Sequence, residues 1–167
     1  MNNEHLLGEH NRQDILFALE AAKHFGVDTA AAERAVEKFS GIEHRMEKVG
    51  TFRGITFYND CIATIPHAVE CAVEALKNVD TLIFGGMDRG LDYSEFENYL
   101  KKSNIKNLIG TPATGHKICD KIEGAPSKNV YKAANLDEAV KKAYEVTEKG
   151  KICLLSPAAS SLSLIHI

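Results

Sequence analysis

Four polar side chains within residues 42–66 have types and spacing that suit nucleotide binding. His44 and Arg45 follow a predicted helix end, where a planar guanidinium could bind phosphate or ribose oxygens through paired hydrogen bonds. Asn59 and Asp60 follow a short apolar run, and a carboxylate there could accept hydrogen bonds from both ribose hydroxyls. Taken alone, each pair has a simpler interpretation: a solvated surface arginine in one case and a helix cap in the other.

Two later clusters also follow apolar runs. In residues 85–90 (GGMDRG), the glycines permit a tight turn and a close approach of the backbone to a ligand. In residues 154–162 (LLSPAASSL), small residues and hydroxyls could present N–H and O–H groups to a carboxylate. An ordinary glycine turn and a serine-capped helix are the alternatives. Neither cluster is a P-loop, since GxxxxGK[ST] does not occur in the sequence.

The elements that must position these clusters follow from hydrophobic patterning. Mostly uninterrupted apolar runs predict buried parallel strands at residues 55–58, 81–84, 108–109, 130–131 and 152–155. Helical patterns fall between them at residues 68–76, 94–101 (with a Ser-x-x-Glu-like cap) and 136–148. Two further helices, 12–25 and 29–39, precede the sheet and are joined through Gly26 and Asp28 as caps. An open α/β sheet binds ligands beyond its carboxyl edge, so that edge is the predicted site.

Composition excludes several classes of function. A chain of 167 residues suits one domain, and its net charge of −3 offers no broad basic surface for nucleic acid. The four cysteines show neither zinc-ligand nor disulfide spacing and are interpreted as reduced thiols. Without a long apolar run or a signal-peptide pattern, we expect no membrane partner and a cytoplasmic location.

Taken in order, the clusters resemble the C-terminal domain of the Mur ligases. The family patterns HRxE and NDSxATxP are matched by His44, Arg45, Glu47, Asn59, Asp60, Ala63, Thr64 and Pro66, with Cys61 in place of the usual Ser. Residues 8–11 resemble the GxHN element, 85–90 the GGxDKG element and 154–161 the LLSPAxAS element. The resemblance spans residues 6–162 and implies a Rossmann-like, mostly parallel sheet flanked by helices, with a helical N-terminal entry.

The resemblance also implies roles for individual residues. ATP contacts fall on Asn11, His44, Arg45 and Asp60, and D-glutamate contacts on Thr64, Arg89, Ser161 and Leu162. Arg89 replaces a family lysine and could bind a carboxylate bidentately. Asp14 stands where the family has a second asparagine, and Ile62 where many relatives have lysine. No catalytic residue or metal ligand is assigned within the chain, because the P-loop and the Mg²⁺ ligands belong to a central domain of the family.

The function implied is that of a fragment. The full-length relative would phosphorylate UDP-MurNAc-L-alanine with ATP, and D-glutamate would attack the acyl phosphate, building the peptidoglycan stem peptide. We expect residues 1–40 to be the end of the central-domain region with a helical linker, 41–163 the C-terminal domain and 164–167 a non-native tail. Without its N-terminal and central domains the chain is predicted to be inactive. A related ligase of the folylpolyglutamate type and a non-catalytic nucleotide- or metabolite-binding module are the alternatives.

Overall fold

A six-stranded sheet forms the centre of the computed structural model, which describes residue 3 and residues 5–160. Its strands are β1 (Glu47–Phe52), β2 (Ile55–Asn59), β3 (Val79–Phe84), β4 (Asn107–Gly110), β5 (Asn129–Lys132) and β6 (Ile152–Leu155). They lie in the order β1-β2-β6-β3-β4-β5. Strands β2 to β6 pair in parallel, and β1 pairs antiparallel with β2 as a hairpin. The predicted open, mostly parallel α/β sheet is confirmed.

In the part of the chain that the structure describes, six helices accompany the sheet: α1 (Glu9–His24), α2 (Thr29–Lys38), α3 (Pro66–Leu76), α4 (Ser94–Lys102), α5 (Thr114–Ile122) and α6 (Leu136–Val146). The helical N-terminal entry is therefore confirmed. Its junction follows the predicted capping, because Val27 N–H donates to Ala22 O and Gly26 N–H to Lys23 O, the pairing of a Schellman motif. Asp28 then accepts a hydrogen bond from Ala31 N–H at the start of α2. Within the described residues, no helix combines the length and hydrophobicity that crossing a membrane requires.

The core is divided into two layers by the sheet. Successive residues of a strand point to opposite faces, so Leu82 and Phe84 of β3 pack with α3, α4 and α5 on one side. Ile83 points to the other side, where it packs with Ala139 and Ala143 of α6. Every residue of β3 is buried, as expected for a central parallel strand.

Four local features differ from the sequence predictions. β1 was not predicted, because most of its residues are exposed and it has no apolar run. α5 was not predicted either, since its buried face is interrupted by polar residues. α1 begins at Glu9 and not at the predicted residue 12, so His10 and Asn11 lie inside the helix. The predicted cap of α4 was wrong: Ser94 is its first residue, and Asp92 Oδ1 accepts hydrogen bonds from Ser94 N–H and Oγ–H.

A buried polar network lies at the amino edge of the sheet. Asp80, only 4% exposed, accepts hydrogen bonds from Asn107 Nδ2 at 3.0 Å and from Glu148 N–H at 3.1 Å. Asn107 also donates to Thr81 Oγ1 and Val146 O, and Thr147 Oγ1 donates to Thr81 Oγ1 at 2.7 Å. The network joins β3, β4 and the end of α6 away from the predicted site.

Candidate functional site

Asp60 is a buried carboxylate at the carboxyl end of β2. It is 4% exposed and accepts hydrogen bonds from Met46 N–H at 3.1 Å and Ser156 Oγ–H at 2.7 Å. Burial raises the pKa of Asp60 above its ordinary value, while the hydrogen bonds from Ser156 and Met46 and the positive charge of Arg45 act in the opposite direction. The alternative interpretation, that Asp60 caps α3, is wrong, because α3 has Ile65 at its N-cap and no side-chain cap.

The backbone around Arg45 forms a tight turn that presents this side chain at the surface. His44 and Met46 both have positive φ, 65° and 47°. The Met46 side chain packs into the core while its N–H binds Asp60, so Arg45 is held between two anchored neighbours. Arg45 itself is exposed. The turn therefore places a guanidinium close enough to Asp60 for its charge to affect the pKa of that carboxyl.

Arg45, Asp60 and Thr64 line one cavity of about 320 Å³, which we call the charged cavity. Its wall also includes His10 from α1 and His67 from the first turn of α3. Two predicted ATP contacts and one predicted D-glutamate contact thus lie around a single opening. From the sequence alone, these residues were expected to lie together only because open α/β sheets bind ligands beyond the carboxyl ends of their strands.

Asn11 and Arg45 also line a second opening of about 460 Å³, which we call the apolar groove. Most of its wall comes from apolar side chains of α1, α2 and the segments beside them, namely Leu6, Ile15, Ala18, Ala35, Val36, Phe39 and Ile42. Asp14 contributes a carboxylate. Asn11 is 7% exposed, and its Nδ2 donates to Leu7 O at 2.7 Å. Arg45 therefore borders both the apolar groove and the charged cavity.

His44 is held by residues other than those that bind Asp60. Its N–H donates to Glu47 Oε2 at 3.0 Å, and its Nδ1 lies 3.0 Å from Asn59 Nδ2. The carboxylate of Glu43 lies 3.6 Å from its Nε2. These contacts place His44 among Glu43, Glu47 and Asn59, and it is not part of the wall of the charged cavity.

The glycine-rich turn packs against the protein itself. A Cβ at Gly85 would lie 2.5 Å from Thr111 O, and one at Gly86 would lie 2.7 Å from Ser160 O. The atoms that approach these glycines closely therefore belong to neighbouring backbone. The sequence had suggested that a ligand would occupy this space. Asp88 secures the turn by accepting from Gly90 N–H and from Lys117 Nζ of α5. Arg89 is exposed on this turn.

The segment after β6 connects the two halves of the site. Ala158 N–H donates to Ala63 O at 3.0 Å, next to Thr64. On the other side, Gly85 N–H donates to Pro157 O at 2.8 Å and Met87 N–H to Ser160 O at 2.9 Å. The segments carrying Thr64 and Arg89 are thus both tied to residues 157–160. The remaining predicted contacts, Ser161 and Leu162, lie outside the described residues.

Sequence reasoning missed several residues of this site. Ser156 was noted only as part of a motif, and its bond to Asp60 depends on β6 lying beside β2, which no local pattern reveals. Met46, His10 and His67 were assigned no role. Between residues 5 and 160, no three His, Cys, Asp or Glu side chains are arranged to hold a metal ion. The placement of the Mg²⁺ ligands outside this chain stays a prediction.

Sequence comparison identifies relatives over most of the chain. Residues 44–159 match the family model described as "Mur ligase, glutamate ligase domain". The chain is 41% identical over 155 residues to the UDP-N-acetylmuramoylalanine--D-glutamate ligase of Caldanaerobacter subterraneus subsp. tengcongensis, covering 92% of this chain and 34% of the relative. It is 41% identical over 156 residues to the Oenococcus oeni enzyme of the same name, covering 93% and 35%. The chain thus spans about a third of the length of these relatives.

Solved structures show the same fold at lower identity. UDP-N-acetylmuramate-alanine ligase MurC from Thermotoga maritima aligns with a TM-score of 0.69 and 21% identity, covering 95% of this chain and 37% of that one. MurF ligase from Thermotoga maritima in complex with ADP aligns with a TM-score of 0.67 and 16% identity, covering 95% and 37%. At these identities the likeness concerns the fold.

Proposed function

Because this chain belongs to the Mur ligase family, and forms its C-terminal domain, we propose that it is the part of a ligase that binds D-glutamate and one side of ATP. In the whole enzyme, ATP would phosphorylate the carboxylate of UDP-MurNAc-L-alanine, and the amine of D-glutamate would displace phosphate. The chain would act in the cytoplasm, in peptidoglycan precursor synthesis. Relatives named for D-glutamate addition support this choice of amino acid.

The observation that carries the proposal is the shared cavity of Arg45, Asp60 and Thr64. ATP and D-glutamate must lie near each other for the activated carboxyl to meet the amine, and a cavity lined by candidate contacts of both kinds meets that requirement. Asp60 would accept hydrogen bonds from the ribose hydroxyls, and Arg45 would bind phosphate or ribose oxygens. His44, held by Glu47 and Asn59, would contact the nucleotide from beside Arg45.

We place the adenine in the apolar groove. Its walls, among them Ile15 and Phe39, offer apolar surface to a planar base. Asn11 borders this groove, and the Asp14 carboxylate could accept a hydrogen bond from the adenine amino group. Since Arg45 borders both openings, a nucleotide could pass from the apolar groove to the charged cavity beside this guanidinium.

D-Glutamate would be held by Thr64 and Arg89, with Ser161 and Leu162 completing the pocket. Arg89 would bind a side-chain carboxylate through a bidentate ion pair. The P-loop, the Mg²⁺ ligands and the UDP-sugar site would lie in the N-terminal and central domains. We further propose that residues 41–163 are the C-terminal domain proper, that residues 1–40 lead from the central domain and that residues 164–167 are a non-native tail.

Competition binding tests this function. Isothermal titration of the chain with D-glutamate, L-glutamate and a diamino acid should show binding for D-glutamate that Arg89→Ala weakens. Lys101→Ala, on exposed helix surface, is the matched charge-removal control. A preference for L-glutamate would favour the folylpolyglutamate-type alternative, and no amino-acid binding with retained nucleotide binding would favour a non-catalytic module. The chain by itself is predicted to be inactive. Phosphate release above background from the chain with ATP, UDP-MurNAc-L-alanine and D-glutamate would contradict that prediction.

A further inference from the structure

A lysine of α5 binds the aspartate that precedes Arg89. Lys117 Nζ donates to Asp88 Oδ2, and Asp88 Oδ1 accepts from Gly90 N–H at 2.9 Å. Both oxygens of this carboxylate are therefore engaged. Arg89 itself forms no hydrogen bond or ion pair with any residue that the structure describes. Its guanidinium thus stays available to a ligand, although a carboxylate lies on the neighbouring residue.

The start of α5 lies directly against the glycine-rich turn (residues 85–90). Thr114 N–H donates to Gly86 O at 3.0 Å. A Cβ at Gly115 would lie 2.6 Å from Phe84 O, so the helix packs on the end of β3 with no side chain between the two backbones. Lys117 follows within the first turn of this helix. Its position relative to the glycine-rich turn is therefore set by backbone contacts.

Contacts other than the ion pair hold the turn in place. Met87 N–H donates to Ser160 O at 2.9 Å, and Tyr93, beyond the end of the turn, packs in the core. The ion pair lies at the surface, with the Lys117 side chain 68% exposed and that of Asp88 35% exposed. Exposed pairs contribute little to the stability of a fold. The main effect of this pair is therefore on the charges around Arg89.

An unpaired Asp88 would interfere with ligand binding by Arg89. The Cα atoms of consecutive residues are only about 3.8 Å apart, so the long Arg89 side chain can reach a released Asp88 carboxylate. Such a pair would occupy the guanidinium and place a negative charge where a ligand carboxylate has to bind. Asp88 is ionised at neutral pH, because hydrogen bonds from Lys117 and Gly90 lower its pKa below the ordinary value of 3.8.

We infer that Lys117 is a positioning residue for the D-glutamate pocket: by binding Asp88, it keeps the Arg89 guanidinium unpaired and compensates the negative charge beside it. The inference rests on the proposed function, in which Arg89 binds a carboxylate of D-glutamate. Lys117 acts through Asp88 and does not touch the substrate. D-Glutamate carries two carboxylates and one ammonium group, so an uncompensated Asp88 would repel it.

A double-mutant cycle on the 167-residue chain tests the inference by isothermal titration with D-glutamate. Lys117→Met should weaken binding roughly two- to fivefold, the range of one exposed charge pair. In the Asp88→Asn background the same substitution should have no effect, because asparagine retains an acceptor for Gly90 N–H and carries no charge. Lys117→Arg should retain the affinity. Lys121→Met, at an exposed position one turn further along α5, is the matched control.

The cycle separates this role from two simpler ones. If Lys117 attracted the substrate directly, Lys117→Met would weaken binding equally with and without the Asp88 charge. If Lys117 were only structural, its substitution would change the unfolding midpoint and leave the affinity of the folded protein unaltered. Either result would overturn the inference. Amide spectra verify that each variant is folded.

A second test needs no ligand, since carboxyl-resolved NMR follows the ionisation of Asp88 directly. With Lys117 present, Arg89→Ala should change the Asp88 pKa little, because the carboxylate is already held. In the Lys117→Met background, Arg89→Ala should raise the Asp88 pKa clearly, because the guanidinium has become the partner. An equal response in the two backgrounds contradicts the inference.

Failure of the proposed function gives a different pattern. In that case D-glutamate does not bind to the unmodified chain, and the NMR titration still decides whether Lys117 keeps Arg89 unpaired. If D-glutamate binds and Lys117→Met changes neither its affinity nor the response of Asp88 to Arg89→Ala, the inference fails and the proposed function stands.

Discussion

Ser156 Oγ donates a 2.7 Å hydrogen bond to Asp60 Oδ2, although 96 positions separate the two residues in sequence. The bond joins the ends of β6 and β2, which are neighbours in the sheet. The position of the carboxylate thus depends on the serine that follows β6 as well as on its own strand. A motif assigned to amino-acid binding by resemblance thus also holds the carboxylate that the same resemblance assigns to nucleotide binding.

Ser156→Ala should weaken both stability and nucleotide binding. The substitution leaves a buried carboxylate oxygen without its donor, at an expected cost of about 1–3 kcal/mol in the free energy of unfolding. Urea denaturation measures that cost, and ADP titration measures the binding. Ser94→Ala is the control, because the Ser94 hydroxyl bonds Asp92 at the surface and its loss should cost about 0.5 kcal/mol or less. Equal stability for the two variants would contradict the importance of the Asp60 contact.

The charge on Asp60 predicts a specific pH dependence of stability. Because the folded-state pKa of Asp60 is raised above the ordinary value of 3.8, the contribution of Asp60 to stability is largest below that value. It is lost as pH rises through the raised pKa. Asp60→Asn removes this ionisation, so its free energy of unfolding should increase relative to the unmodified chain over the same pH window.

Denaturation curves of both proteins from pH 3.5 to pH 7 measure this difference. A constant difference across the window would show that Asp60 ionises equally in the folded and unfolded states. Asp92→Asn should give the opposite slope, confined to the acid end of the window near and below pH 3.8, because hydrogen bonds from Ser94 lower the pKa of the exposed Asp92 carboxyl.

Gly86→Ala should destabilise the protein by closing the space between two segments. The new Cβ would lie 2.7 Å from Ser160 O, and the backbone φ of 153° already disfavours a side chain. Strain and overpacking together should cost about 2–4 kcal/mol, measured by urea denaturation. Gly124→Ala is the control, since φ is 75° there and nothing lies within 4 Å of the added atom. A smaller effect at Gly86 than at Gly124 would contradict the close packing.

Asp80→Ala should lower stability without affecting ligand binding. Asp80 accepts hydrogen bonds from Asn107 and Glu148, and its loss removes the acceptor of Glu148 N–H and one of the acceptors of Asn107 Nδ2, with an expected cost of about 1–3 kcal/mol. Binding of ADP and D-glutamate should be unchanged in the folded variant, because this network lies at the opposite edge of the sheet. Urea denaturation and titration provide the two measurements. Weakened binding in a fully folded variant would show that the two edges are coupled.

The sequence predicted central strands better than edges and turns. β3 carries a continuous buried run, so its apolar pattern was sufficient to identify it. β1 was missed because most of its residues are exposed, so its sequence has no apolar run that would indicate a strand. Likewise, the sequence placed Asp60 correctly at the end of a strand, but it predicted neither the burial of this carboxylate nor its partners. Met46 and Ser156 reach it only after strand order is established, and sequence spacing does not encode that order.

The Asp80 network has a consequence for how this fold can diversify. It fastens β3, β4 and the end of α6 at one rim, whereas the turns that carry Thr64 and Arg89 lie outside this network. Changes in those turns could alter which amino acid is accepted while the fastened rim keeps the framework intact. Substitutions in a single turn could therefore change the amino-acid specificity while the sheet and its helices stay in place.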